Sequence, residues 1–323
     1  MSAAAPTHWR DVLSRQEIDE LLCLHDARSW FSIAFNWGVV GACFAWVAVW
    51  PNPFSIVAAL FLIGARQLGF AVLMHEAAHR SLLSNKRVND RVGNWLCGYP
   101  IWSDLDRYRP YHLKHHARTG GEQDPDLGLI TPFPITRASL RRKVWRDLTG
   151  QTGLKIGRAS WARSFGRSAE DPAARRAARG FWISNAVLFG LLALAGHPAL
   201  YLLWVLAWLT TNQLVTRIRS IAEHALTPDV PEPEGLTRTT LPRWWERLLI
   251  APNCVNYHLE HHLLITVPHY HLRRMHRLLD ERGILTHACI DVGYPGVLRR
   301  AASRPAGGGA APSYRPPPRV PSD

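Results

Sequence analysis

Cysteine is scarce in this chain and follows no pattern. The 323 residues include five cysteines, and no two of them form a CxxC pair. They are Cys23, Cys43, Cys97, Cys254 and Cys289. A zinc knuckle, an iron–sulfur site and a disulfide framework all need regular cysteine spacing, so none of them is indicated. A flavin or nicotinamide fingerprint and a cytochrome b5 domain are also missing, so an oxidising reaction would take its electrons from a separate protein.

Acidic residues are also few. The 25 Asp and Glu residues against 38 Lys and Arg residues give a net charge of +13 and a pI near 10.1. A nucleic-acid-binding protein would carry basic runs interleaved with stacking aromatic residues, and this pattern is missing. The basic residues avoid the short turns between apolar blocks, as the positive-inside rule predicts for a membrane protein. We therefore expect a cytoplasmic face against anionic lipid and no nucleic-acid partner.

Charge is absent from residues 31–50, a block long enough to cross the ~30 Å hydrocarbon core of a bilayer. Three further apolar blocks occupy residues 54–74, 181–195 and 199–215. Uncharged turns at 51–53 and 196–198 connect the blocks in pairs. The sequence predicts an all-α integral membrane protein with four transmembrane helices in two hairpins. A cytoplasmic helical cap would hold the functional site.

The second apolar block contains two polar residues, Arg66 and Gln67, which are costly to place within hydrocarbon. We expect this half of the helix to line a protein interior or to leave the membrane. Before the first block, Ser14 and Glu17 have the spacing of a capping box, which predicts a short amphipathic helix on the membrane surface. Acidic residues interrupt this segment, so we expect no secretory signal and a cytoplasmic N-terminus.

The predicted organisation places both termini and the active site in the cytoplasm, with the chain in a bacterial inner (cell) membrane. Its parts are a cytoplasmic amphipathic segment 1–30, transmembrane hairpin 31–74, cytoplasmic region 75–180, transmembrane hairpin 181–220, cytoplasmic region 221–300 and a disordered tail 301–323. The tail is rich in glycine, proline, alanine and arginine. Pro110 is expected in the first turn of a helix that follows it.

Eight histidines stand in three short motifs, or histidine boxes. The boxes contain His75 and His79; His112, His115 and His116; and His258, His261 and His262. On a helix, residues at i, i+3 and i+4 share a face, so each box can direct two or three imidazoles at a common point. One tetrahedral zinc takes about four ligands, so eight imidazoles indicate two metal ions. Imidazole binds zinc, copper, iron and nickel, and the ligands alone do not name the ion.

The order HExxH, HxxHH and a distant HxxHH resembles the membrane fatty-acid desaturase family. The resemblance covers roughly residues 55 to 280, and it extends to Asp124-Pro125-Asp126 and to Pro268, Leu272 and His276. It implies two iron ions that activate dioxygen and an apolar substrate, a lipid or acyl chain, that enters from the bilayer. The electrons would come from a separate ferredoxin, rubredoxin or cytochrome b5 type protein.

His224 is a ninth candidate ligand outside the boxes. It follows the second predicted hairpin as His75 follows the first, and it is similar to an extra histidine that some family members supply to the second iron. Metal-bound histidine usually donates its other ring nitrogen to a carboxylate or carbonyl. The candidates for such supporting roles are Glu76, Asp124, Asp126, Glu260 and His276.

Four functions remain open from the residues. The resemblance favours an oxygen-dependent desaturase that introduces a double bond into a fatty acyl chain. A hydroxylase or ketolase acting on a carotenoid, sphingolipid or alkane would use the same di-iron site. A membrane zinc hydrolase with Glu76 as general base would explain the first box and leave six box histidines unused. A membrane protein with structural metal is the last alternative.

Overall fold

The computed structural model describes residues 9–165, 171–227 and 236–305, which are mostly helical. The first eight helices are α1 Trp9–Val12, α2 Arg15–Leu22, α3 Asp26–Val49, α4 Pro53–Ala78, α5 Lys86–Val92, α6 Leu105–Arg118, α7 Leu127–Ile130 and α8 Arg137–Leu148. The later helices are α9 Gln151–Phe165, α10 Pro172–Leu194, α11 Tyr201–Leu209, α12 Thr211–His224, α13 Trp244–Leu249, α14 His258–Leu263, α15 His269–Glu281 and α16 Tyr294–Ala301. A π-helix at Gly93–Gly98 and 3₁₀ turns at Tyr99–Ile101, Pro198–Leu200 and Pro252–Cys254 complete the helical elements.

Four helical segments of the described chain are long and apolar enough to cross a membrane. They are Asp26–Val49, Pro53–Ala78, Pro172–Leu194 and Pro198–His224. Each overlaps one of the four apolar blocks that the sequence predicts, to within one residue at its end. The last segment is broken at Thr210, where φ is −119° and ψ is −86°, so it consists of α11 and α12. Large apolar side chains such as Phe31 and Leu194 are exposed along these segments, as lipid-facing residues would be.

Helix α4 lies at the centre of the fold. In the most apolar window of this helix 61% of the residues are buried, against 28–39% in the other three candidate spans. It packs against α3, α6, α11, α12 and the π-helix. Arg66 and Gln67 are buried within the protein, which confirms that this half of the helix lines an interior. Helix α4 therefore sets the position of the first histidine box relative to the others.

The predicted capping box at the N-terminus is present. Ser14 accepts a hydrogen bond from the backbone N–H of Glu17, and the Glu17 carboxylate accepts one from the N–H of Ser14. The expected membrane-surface position is wrong, because Leu21 is fully buried in a cluster with Leu259 and Met275. The apolar face of α2 covers the region that carries the third box.

The prediction that Pro110 lies in the first turn of its helix is wrong. Helix α6 begins five residues earlier at Leu105, and Asp104 caps it by accepting a hydrogen bond from the N–H of Asp106. A buried Leu105 and a good cap fix the start of the helix, and the helix tolerates the proline in its interior. The second box therefore follows Pro110 within one continuous helix.

The structure adds a small parallel sheet that the all-α prediction lacks. Strand β1, Thr239–Leu241, pairs with β2, Ile290–Val292, with Thr239 opposite Ile290. Strand β1, which includes Thr239, contacts α14. The sheet thus supports the third box from one side.

The end of the described chain is packed against the rest of the fold. Ala301 and Ala302 are buried, and the N–H of Ile135 donates a hydrogen bond to the carbonyl of Ala301. The predicted disordered tail, 301–323, starts inside this packed segment, and residues 306–323 lie outside the described residues.

Candidate metal centre

Four helix ends carry the nine candidate histidines. The first box lies at the end of α4, with His79 as its C-cap, and His224 is the last residue of α12. The second box occupies α6, and the third box forms most of the short helix α14. The four ends converge, although the boxes are separated in sequence by up to 180 residues.

The nine histidines form two clusters. Cluster A contains His75, His79, His112, His116 and His261. Cluster B contains His115, His224, His258 and His262. Within each cluster the ligand atoms lie within 4.8 Å of one another. The clusters are neighbours, because the rings of His116 and His262 are 4.2 Å apart between centroids.

Boxes 2 and 3 each place two histidines in one cluster and the third in the other, which agrees with the expectation that a box directs two or three imidazoles at a common point. In box 2 the i and i+4 residues join cluster A and the i+3 residue, His115, joins cluster B. In box 3 the i and i+4 residues join cluster B and the i+3 residue, His261, joins cluster A. At about 100° per residue, i and i+4 differ by about 40°, whereas i+3 points about 60° to the other side. Boxes 2 and 3 therefore each supply histidines to both clusters.

The nitrogen spacing within the clusters suits metal ions. The Nε2 atoms of His116 and His112 are 2.9 Å apart, those of His116 and His261 3.1 Å, and those of His224 and His258 2.8 Å. Two nitrogen ligands at about 2.1 Å from one ion lie about 3 Å apart. If the two rings of a pair were hydrogen-bonded to each other instead, one Nε2 would have to carry a proton and the other would have to accept it.

Several buried ring nitrogens have no hydrogen-bond partner, which supports the same interpretation. They are His75 Nε2, His79 Nδ1 and Nε2, His116 Nδ1, His261 Nδ1 and His262 Nε2. A buried polar atom without a partner costs about 1–3 kcal/mol. Binding of a metal ion to one nitrogen of each ring would remove part of this cost. The residues present therefore fit two metal ions with imidazole ligands.

Five of the box histidines outside the candidate spans are held in the neutral form that binds metal, namely His79, His116, His258, His261 and His262. Burial, and then the neighbouring His75, lower the pKa of His79 to about 3. Burial, and then His79, lower the pKa of His116 to about 2. Burial also lowers the pKa of His258, His261 and His262 well below the ordinary value. Metal ions bind the deprotonated ring nitrogen, so no proton has to leave these rings at neutral pH.

The family model for fatty acid desaturases matches residues 48–287, a stretch that includes both clusters. The chain belongs to the fatty acid desaturase family. It is an oxidoreductase of the desaturase type, which confirms the resemblance inferred from the boxes.

Named desaturases align with most of the chain. Dihydrorhizobitoxine desaturase of Bradyrhizobium elkanii is 29% identical, over 76% of this chain and 73% of the relative. The sn-1 oleoyl-lipid 12-desaturase of a Picosynechococcus species is 23% identical, over 80% and 78%. The chloroplastic omega-6 fatty acid desaturase of Glycine max is 24% identical, over 81% and 65%.

In this desaturase-family chain, Asp124 supports the second box. His115 Nδ1 lies 2.8 Å from Asp124 Oδ1, and Asp126 Oδ2 is 3.7 Å from the same nitrogen. The backbone N–H groups of Gly120 and Asp126 donate to the Asp124 carboxylate. These bonds and His115 lower the pKa of Asp124, so the carboxylate is ionised and fixes the ring. The Nε2 atom of His115 is then left for cluster B.

Glu76 lies beside the first box. Its Oε1 is 3.5 Å from His75 Nδ1, and its Oε2 accepts a 2.8 Å hydrogen bond from the backbone N–H of His269. Ser81 donates to the same Oε2 at 3.3 Å. Glu76 thus connects α4 to the start of α15 and faces a cluster A ligand.

Glu260 and His276 bind each other. The His276 Nδ1 atom lies 2.5 Å from Glu260 Oε1, and Thr239 Oγ1 donates to Glu260 Oε2 at 2.5 Å. This fully buried carboxylate therefore ties α14 to α15 and to β1. Both residues therefore help to position the helix that carries box 3.

Two supporting groups for cluster B escaped the sequence analysis. Glu223 Oε1 lies 3.5 Å from His258 Nδ1 and accepts a 2.5 Å hydrogen bond from Arg219. The carbonyl of Leu236 lies 3.0 Å from His224 Nδ1. Glu223 is adjacent to His224 in sequence, as Glu76 is to His75, and this adjacency was a usable signal. A backbone carbonyl leaves no signal in sequence.

Arg109 connects the helix of box 2 to the end of the helix that carries box 1. Its guanidinium donates to the carbonyl of Ala78 at 3.0 Å and to that of Ala77 at 2.9 Å, and it forms a 2.5 Å ion pair with Asp90. Carbonyls at the end of a helix lack intrahelical partners. Arg109, three residues before His112, thus satisfies the end of α4 and sets the distance between the two boxes.

Proposed function

We propose that this chain is a membrane-bound, oxygen-dependent desaturase that holds two iron ions and introduces a double bond into a fatty acyl chain. The pair of adjacent clusters of buried, neutral imidazoles carries this proposal. Cluster A would supply five ligands to one ion and cluster B four to the other. The relatives named as acyl-lipid and fatty acid desaturases support the substrate class.

The chain's own residues would prepare the site. Iron, when bound, supplies the activation of dioxygen that removes hydrogen from an unactivated C–H bond. Asp124 and Glu223 hold the rings of His115 and His258, so the second nitrogen of each ring stays directed into cluster B. A narrow cavity beside the clusters is lined by Val72, Val255 and Leu272 together with histidines of both clusters, and an acyl chain would approach the metal ions past these apolar side chains.

We propose that the four spans form two hairpins with both termini and both clusters in the cytoplasm of a bacterial cell. The uncharged turns at 51–53 and 196–198 would face the outside. A reporter that is active only in the cytoplasm is expected to be active when it is fused after Asp323. A reporter that is active only outside is expected to be active when it is inserted at Asn52. An active external reporter after Asp323 would refute this topology.

A separate electron-transfer protein of the ferredoxin, rubredoxin or cytochrome b5 type would supply the electrons. Helix α8 is rich in arginine, and four of its arginines are Arg137, Arg141, Arg142 and Arg146, all exposed. This positive surface would attract an acidic carrier, and the attraction weakens as salt screens it. Turnover by the purified protein with NADPH alone would contradict a separate donor.

Iron content and lipid analysis test the proposed function. The chain would be expressed in a host without its own membrane desaturase, together with a ferredoxin and its reductase. We expect about two irons per purified chain, and fatty acyl chains in the host that have lost two hydrogens. The His261→Ala variant is the control without activity. Hydroxylated lipids would assign the chain to the hydroxylase alternative, and zinc under iron-replete growth would contradict the di-iron proposal.

A further inference from the structure

A cavity of about 740 Å³ lies beside α3, α4, α13 and α15, away from the ligand rings. Four arginines line it, namely Arg28, Arg66, Arg247 and Arg273. None of the lining residues is an aspartate or a glutamate. We call this cavity the arginine chamber. Four guanidinium groups around one space, without acidic neighbours in the wall, attract an anion.

Arg66 is the inner cation of the arginine chamber. Only 3% of this residue is exposed, and its Nε has no hydrogen-bond partner. Its other nitrogens reach the Leu248 carbonyl at 2.5 Å and the Asn36 side-chain oxygen at 3.4 Å. Within residues 9–165, 171–227 and 236–305 no carboxylate forms an ion pair with it. A buried charge without a counter-ion is costly, and an anionic ligand would remove that cost.

The other three arginines form an exposed rim. Arg28, Arg247 and Arg273 are exposed, and the guanidinium of Arg28 lies 5.5 Å from the centre of the Tyr270 ring. Part of the chamber wall is apolar, with Phe31 71% and Trp244 78% exposed. The chamber therefore combines a cationic rim with an apolar wall, which matches an amphiphile.

The arginine chamber adjoins the metal centre. A second, narrow cavity of about 10 Å³ is lined by His75, His258 and His261. Both cavities share Asn253 and His269 in their walls. The side chains of Asn253 and His269 therefore lie between the two cavities.

Asn253 is built tightly into this shared wall. It has a left-handed backbone with φ of +52°. Its side-chain amide donates to the Gly69 carbonyl at 2.8 Å, and its side-chain oxygen accepts from Asn36 at 3.3 Å. A Cβ at Gly69 would lie 2.2 Å from the Asn36 oxygen, so this arrangement requires glycine there. Non-glycine residues in this backbone region cluster at functional sites.

We propose that the arginine chamber binds the carboxylate or phosphate head of an amphiphilic substrate, whose hydrocarbon chain passes Asn253 toward the histidine clusters. The proposal rests on the proposed function, because it takes the hydrocarbon to be the part that reacts. Arg66 lies nine residues before His75 on α4, or about 14 Å along the helix. The head would lie within the arginine chamber, between Arg66 and the rim arginines Arg247 and Arg273, so it has to be small.

Binding of matched probes to the purified, metal-loaded full-length chain in neutral detergent tests this proposal. The probes are oleate, oleyl phosphate and methyl oleate, which differ in the head group. An ionic hydrogen bond contributes about 1.5–3 kcal/mol, so we expect at least one anion to bind about tenfold more tightly than the ester. The tighter of the two anions identifies the head as carboxylate or phosphate.

Variants of the exposed rim assign the preference to the arginine chamber. The double variant Arg247→Gln/Arg273→Gln is expected to lose the preference for the anion and to bind methyl oleate as before. Arg277→Gln is the matched control, because Arg277 is exposed on the same helix as Arg273 and does not line the chamber. Equal binding of anions and ester, or an unchanged preference in the double variant, would overturn the proposal. So would tighter binding of a diacyl phosphatidylglycerol than of both single-chain anions.

Failure of this inference differs from failure of the proposed function. The binding experiment involves no turnover, so arginine-dependent binding by a chain that forms no double bond would refute the function alone. Double-bond formation by a chain without anion preference would refute the arginine chamber alone.

Discussion

The His224→Ala variant is expected to lose activity by about 100-fold or more and to bind less iron than the unaltered chain. His224 supplies one of the four nitrogens of cluster B, and its Nε2 lies 2.8 Å from that of His258. Its other nitrogen faces the Leu236 carbonyl, which fixes the ring. Iron per chain and turnover with a supplied electron donor measure the effect, and His261→Ala should show the same losses.

Two histidines outside the clusters serve as controls. His197 and His287 are exposed, so their replacement by alanine should leave iron content and turnover unchanged. Equal yields of folded protein from size-exclusion chromatography would separate loss of a ligand from loss of the fold. Full iron and normal turnover in the His224→Ala variant would mean that the eight box histidines alone hold the metal.

Gly64→Ala is expected to destabilise the chain by about 3 kcal/mol, at the upper end of the usual overpacking cost. A Cβ at Gly64 would lie 2.3 Å from Thr211 Oγ1 and 2.8 Å from the backbone nitrogen of Asn212. A side chain can rotate away, but the backbone of α12 cannot move without breaking contacts with α4. The unfolding midpoint in detergent should fall accordingly.

Gly41→Ala is the matched control for this effect. Gly41 lies within α3, and a Cβ there would meet nothing within 4 Å. Because alanine favours helix over glycine, the change should be neutral or stabilise by up to about 1 kcal/mol. Equal midpoints for the two variants would contradict a tight contact between α4 and α12. Iron content should also fall in the Gly64→Ala variant, since α12 ends in His224.

The apolar spans and the histidines that cluster were predictable because they depend on local pattern. A charge-free block of twenty residues and histidines spaced as i, i+3 and i+4 carry their meaning in sequence. The position of Arg66 in the protein interior also followed from the cost of a charge in lipid. These signals need no knowledge of which helix lies beside which.

The features that could not be predicted from the sequence depend on contacts between distant segments of the chain. The burial of Leu21 against Leu259 and the pairing of β1 with β2 join residues more than 40 positions apart. The division of boxes 2 and 3 between clusters requires the relative rotation of α6 and α14. Periodicity within each helix contains no information on that rotation.

Because boxes 2 and 3 each supply histidines to both clusters, a movement of either box acts on both clusters. A one-residue insertion ahead of His112 would turn box 2 by about 100° and displace histidines of both clusters at once. The same holds for α14, so a movement of either helix would disturb both proposed metal sites together. Loading of the two ions should therefore be cooperative, and partly loaded chains with a single ion should be rare.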